Sequence, residues 1–158
     1  MEEIKKKRWK SLALFLAVPL AVGGLTSLLT RKSMDVYKII KLPPLAPPGW
    51  LFPVVWVILY SIMGYSSWLC RFAPPKKRTP AFLLYAAQLA LNFVWPLVFF
   101  NGQAWFLALV ILAALLGTVL VMVAVFGSIN KKAALLQIPY CLWLSFALYL
   151  NFMIWLRN

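Results

Sequence analysis

The chain has 158 residues, 64% of them hydrophobic and 16% aromatic, with 16 Lys and Arg, three acids and no histidine. Without histidine it offers no imidazole to zinc or haem iron and no Ser–His or Cys–His nucleophile pair, so hydrolytic and metal-centred chemistries drop out. The formal charge of +13 would suit nucleic acid, yet the basic residues gather at the ends of apolar runs instead of along one soluble face. The class is therefore an all-α integral membrane protein that binds no nucleic acid, and its charge reports topology.

A membrane-spanning helix needs about 20 apolar residues. Five runs qualify, at 11–30, 50–69, 80–100, 104–127 and 133–156, which predicts one five-helix transmembrane domain over 1–158. The first run has a basic flank like a signal peptide, but it is long and no Ala-x-Ala-like site precedes Arg31, so it is kept as a helix. The loop 31–49 holds Asp35, Tyr37 and the stretch Lys41 to Gly49 with four prolines. Prolines fix φ and remove N–H donors, so this loop is expected to be a stiff, non-helical connection, either a spacer or a lid.

In the second span Pro53 falls in the first turn, where a missing N–H does no harm, and Trp56 and Tyr60 are adjacent on one face. Residues 72–79 read as a solvated turn, with Pro80 starting the third span. There Gln88, Asn92, Trp95 and Phe99 recur at helical spacing, as do Tyr140, Trp143, Ala147 and Asn151 in the fifth span. Pro19, Pro96 and Pro139 lie within apolar runs and are expected to bend or open their helices. Cys70 and Cys141 lack metal-like spacing and read as free thiols.

The polar stripes have two readings: hydrogen-bonded packing between helices, or walls of a pocket. Trp143 falls near the middle of its run, where an indole is more at home against protein or a cavity than in hydrocarbon. Trp9, Trp68, Trp105 and Trp155 lie at span ends, as interfacial belt residues do. No charged residue occupies the middle of a span, which argues against a proton relay. What remains is an apolar, aromatic-lined pocket suited to a flat hydrophobic ligand, with no metal and no required cofactor. Eleven Lys and Arg on the side of residues 5–10, 71–78 and 131–132 against five on the other favour an inside amino terminus, which is cytoplasmic in a bacterial inner membrane.

Four segments resemble the translocator protein family, also known as tryptophan-rich sensory proteins or peripheral-type benzodiazepine receptors. They are Pro43 to Trp50 continuing through Val55-Trp56-Val57-Ile58-Leu59-Tyr60; Met63-Gly64-Tyr65; Gln88 to Pro96 with Phe99-Phe100; and Pro139 to Ala147 with Leu150-Asn151. The resemblance implies a five-helix bundle, commonly a homodimer, with a cavity beneath the first loop that binds porphyrins and in some members sterols or synthetic drugs. It further implies that Trp56 and Trp143 flank the ligand and, as in bacterial members, support light- and oxygen-dependent breakdown of protoporphyrin IX. Asn92 matches a polar anchor, Tyr60, Trp95 and Asn151 lie on matching motif positions, and Ala147 matches a small residue against the ligand.

The chain departs from the family where many members have a loop tryptophan, here Leu45, and an acid in the fourth span, here placed at Ile111. The sterol-recognition motif of animal members is met only loosely, from Leu150 to Arg157 with Phe152 in place of Tyr. The expected function is a membrane receptor or carrier for tetrapyrroles. Sterol or other lipophilic ligand transport or sensing, and a partner-binding scaffold, are the alternatives.

Overall fold

The computed structural model describes all 158 residues. Its helices are α1 (Glu2–Thr30), α2 (Val36–Ile39), α3 (Leu51–Leu69), α4 (Pro75–Pro96), α5 (Trp105–Ile129), α6 (Lys131–Leu135) and α7 (Ile138–Arg157). Five helical segments are long and apolar enough to cross a membrane, α6 and α7 together making the fifth. The chain is a multi-pass bundle in which α1 packs on α3 and α4, α4 on α5, and α5 on α7.

The core follows from the inner stripe of α5, where Ala108, Leu112, Leu115, Val119, Met122 and Phe126 are buried at alternating spacings of four and three. Tyr140 and Leu144 of α7 are buried with them. By contrast α1 buries only Pro19, Thr26 and Thr30, so most of its surface is left to lipid. It meets the backbone of α3 closely at Gly64, where a Cβ would stand 2.5 Å from the Phe15 carbonyl oxygen and 2.9 Å from Leu16 Cα. Pro19 has no N–H to offer that Phe15 carbonyl, so the helix surface is open where the α3 backbone arrives.

The prolines act differently from one another. Pro96 ends α4, and the chain continues as a π-helical turn, Leu97–Asn101, closed by Gly102 N–H donating to Leu97 O at 3.0 Å. Pro19 remains inside an unbroken helix. Pro139 does not open the fifth span from within: the break comes earlier, at Leu136–Gln137, and Pro139 occupies the first turn of α7, where its missing donor costs nothing. Pro80 does not start the third span either. That helix begins five residues earlier at Pro75, because the basic turn Lys76 to Thr79 is helical although it is not apolar.

The long loop is not wholly non-helical, since α2 forms one turn within it. The remainder is extended and turned, with Leu45 in the left-handed region at φ 70°. It is fastened to the end of α7: Lys41 N–H donates to Asn158 Oδ1 at 3.0 Å, Arg157 Nη1 to Leu42 O at 3.2 Å, and Tyr149 to Pro44 O at 3.3 Å.

Candidate functional site

Beneath this loop lies a cavity of about 290 Å³, at the lower end of the usual range for ligand pockets. Its walls come from α1 (Gly23, Gly24, Thr26, Ser27), α3 (Phe52, Trp56, Tyr60) and the end of α4 (Asn92, Trp95, Phe100), with Met34 of the loop. Gly23 is required by a close approach, because a Cβ there would collide with the Tyr60 ring, whereas a Cβ on Gly24 meets nothing within 4 Å. Gly24, Ser27, Pro53 and Val57 line the cavity and are themselves exposed, so it opens sideways between α1 and α3.

The polar floor is a buried triad. Asn92 donates through Nδ2 to Gln88 Oε1 at 2.8 Å and to the Tyr140 hydroxyl, and Tyr140 donates to Gln88 Oε1 at 2.9 Å. All three side chains are almost fully buried, where unpaired polar groups are costly. With Nδ2 so engaged, Asn92 keeps Oδ1 without a protein partner, an acceptor available to a ligand N–H or O–H. Both readings of the stripe therefore hold at Asn92, which ties α4 to α7 and also lines the chamber.

Trp95 donates its indole N–H to Asn151 Oδ1 at 3.0 Å, and Asn151 donates to Trp105 O at 2.9 Å. The π-helical turn after Pro96 lets Phe99 and Phe100 both reach Trp95, at centroid distances of 5.3 and 6.4 Å. Ala147 and Asn151 do not line the main cavity. They line a much smaller one of about 20 Å³, and Phe52, Trp95 and Phe100 border both. Those three rings form a partition.

Trp56 faces the main cavity, with Tyr60 at 5.3 Å and Tyr140 at 6.4 Å between ring centroids. Trp143 is half-buried against Phe52 at 5.9 Å and Phe146 at 5.8 Å. It faces protein, as its depth implied, but Phe52 stands beside it and it is not part of the cavity wall. The structure thus brings Trp56, Tyr60, Asn92 and Trp95 together, and holds Ala147, Asn151 and Trp143 across or behind the partition. Trp68, grouped with the belt residues from its place in sequence, is buried at 5% exposure, because Arg71 covers its ring.

Phe52, the Gly23-Gly24 pair and the hydroxyls of Thr26 and Ser27 were not singled out in the sequence. Two adjacent glycines inside an apolar run were the available signal, since a helix interior without side chains invites a neighbour or a space. In the wall of the smaller space, Tyr37 donates its hydroxyl to Pro47 O at 2.9 Å and sets its ring edge-on to Phe52 at 5.4 Å. Partial burial pushes the Tyr37 hydroxyl pKa up, which favours the neutral donor this contact needs.

These features define a multi-pass membrane protein with an aromatic chamber under an extramembrane loop. Residues 15–156 match the model of the TspO/MBR family. The chain is 37% identical to Tryptophan-rich protein TspO of Chlorobaculum tepidum, over 94% of this chain and 96% of that protein. It is 36% identical to the protein of that name in Archaeoglobus fulgidus, over 94% and 97%, and 34% identical to Translocator protein of Ovis aries, over 95% and 91%. The chain belongs to the TspO/MBR family.

Proposed function

We propose that this protein is a membrane receptor or carrier for tetrapyrroles such as protoporphyrin IX, bound in the chamber of Trp56, Tyr60, Asn92 and Trp95. The observation that carries the reading is the wall itself: five aromatic side chains, Phe52, Trp56, Tyr60, Trp95 and Phe100, with the Asn92 amide oxygen and the hydroxyls of Thr26 and Ser27 as its polar anchors. Aromatic faces and apolar burial supply affinity for a flat macrocycle without a metal ligand. A plate wider than the chamber projects through the gap between α1 and α3, and the loop cations Lys38 and Lys41 are within the segment that covers the site, to meet its carboxylates. The Lys38–Asp35 contact of 2.7 Å leaves Lys41 as the freer of the two.

The test is a titration of protoporphyrin IX into purified protein, followed by quenching of tryptophan fluorescence. Saturable binding in the micromolar range, weakened about tenfold or more by Asn92→Ala, supports the reading, since a lost hydrogen bond in a buried site is worth about 1–3 kcal/mol. Absence of quenching by wild type leaves the scaffold alternative standing. Tighter binding of a sterol than of the porphyrin would move the assignment to lipophilic transport.

The same reading places the amino terminus on the cytoplasmic side in a bacterial inner membrane, on the positive-inside count of eleven cations against five. It takes the working unit as a homodimer. The exposed positions Ala113 and Gly117 on α5 support this, because small residues four apart let two helices approach in lipid.

A further inference from the structure

At the end of the bundle opposite the chamber, three cations from three separate elements converge on one aromatic pair. Tyr65 and Trp68 stack at 5.8 Å with their planes 21° apart. The Arg71 guanidinium carbon lies 3.6 Å from the Trp68 ring centroid, that of Arg8 from α1 lies 5.4 Å away, and Lys132 Nζ of α6 lies 5.7 Å from the Tyr65 ring. No carboxylate answers them: the one ion pair in the molecule is Lys38–Asp35, at the other end. Burial, and then the like charge of Arg8 beside it, push the Arg71 pKa down.

Arg71 has a local role, donating to Trp68 O at 2.7 Å at the carboxyl end of α3, where a cation meets the negative end of the helix dipole. Arg8 and Lys132 have no such bond to the protein through their side chains. Both stand over the same stacked pair that Arg71 covers, Arg8 over Trp68 and Lys132 over Tyr65, and neither is neutralised by a side chain of the protein. We propose that Arg8, Arg71 and Lys132 form a site for the phosphate headgroup of an anionic phospholipid.

The chemistry recognised is a phosphate monoanion, and the surroundings favour lipid as its source. The cluster sits where the apolar part of α3 ends, and Arg71 also lies 3.9 Å from the ring centroid of Phe72, which is 82% exposed, an apolar surface placed for the acyl and glycerol region. Arginine and lysine near a membrane surface attract anionic lipid, and guanidinium groups bind phosphate oxygens in a forked geometry. The occupied site would join α1, the least buried helix and a wall of the chamber, to α3 and α6.

The experiment uses the full chain in mild detergent and follows its melting temperature with added phosphatidylglycerol, phosphatidylcholine or inorganic phosphate. Phosphatidylglycerol is expected to raise it, with phosphatidylcholine and inorganic phosphate inert. Arg8→Gln and Lys132→Gln should each weaken the apparent affinity for phosphatidylglycerol about fivefold, with Arg8→Lys largely restoring it and Lys76→Gln, an exposed cation outside the cluster, without effect. Equal stabilisation by phosphatidylcholine overturns the proposal, as does a Lys76→Gln loss equal to that of Arg8→Gln, which would mean diffuse surface charge. Equal stabilisation by millimolar inorganic phosphate overturns the lipid assignment. Should a variant fail to fold, native mass spectrometry of the wild type decides: retention of phosphatidylglycerol in preference to phosphatidylcholine supports the site, and equal retention overturns it.

Discussion

Trp95 on α4 and Asn151 on α7 are joined by a 3.0 Å hydrogen bond that spans two helices and places the indole at the boundary between the two cavities. Removing the donor strands a buried carbonyl oxygen. Trp95→Phe should therefore destabilise the protein by about 1–3 kcal/mol, measured as a lower melting temperature in detergent, while Asn151→Leu should cost a similar amount by leaving the indole N–H unpaired and removing the side-chain bond to Trp105 O at the start of α5. Wild-type melting in both variants would show that the bond contributes nothing.

Phe52 is the member of the partition that reaches furthest across it, half-buried and in contact with both Tyr37 and Trp143. Phe52→Ala should merge the two spaces and bring Ala147, Asn151 and Trp143 into one chamber. The expected outcome is tighter porphyrin binding, by about threefold or more, with a larger fraction of tryptophan fluorescence quenched. Weaker binding would mean that Phe52 itself stacks on the ligand.

On the porphyrin reading proposed above, illumination is expected to tell the two tryptophans apart. Trp56 faces the cavity directly, so Trp56→Phe should slow aerobic bleaching of bound protoporphyrin IX far more than Trp143→Phe, whose indole lies beside Phe52. Illuminating each variant at saturating ligand and following porphyrin absorbance checks the order. The reverse order would show that the partition opens when the ligand binds, and bleaching unchanged in both would remove the photochemical role.

Gly64 and Gly117 predict opposite responses to one methyl group. At Gly64 the added carbon meets the Phe15 and Leu16 backbone, which has no flexible end to move aside, so Gly64→Ala should push α1 away and lower the melting temperature by several degrees. At Gly117 nothing of the same chain lies within 4 Å, so Gly117→Ala should spare the fold of the protomer, and a fall in melting temperature there would report the proposed dimer contact instead. A thermal melt of both variants in the same detergent checks the pair.

Much of this site was legible because lipid leaves polar side chains few places to go. Gln88, Asn92, Trp95 and Phe99 share one face at a period of 3.6, and that face had to turn inward; all four are buried. The rotation and tilt that set Trp143 beside Phe52 were not legible, since they depend on how α7 meets α3 across a loop of many prolines. Helix ends were misplaced for a simpler reason. Apolar runs end where hydrocarbon ends, whereas Pro75–Thr79 stays helical in the polar region, and the π-helical turn after Pro96 is a backbone response that hydrophobicity does not encode.

The bonds that join Lys41, Leu42 and Pro44 to Asn158, Arg157 and Tyr149 make the last third of the fifth span an anchor for the cover of the chamber. An affinity handle fused after Asn158 would load that anchor directly and could change ligand access through a residue far along the chain from any binding group. A handle at the amino end, which meets the opposite mouth of the bundle, leaves the bonds of that anchor unloaded.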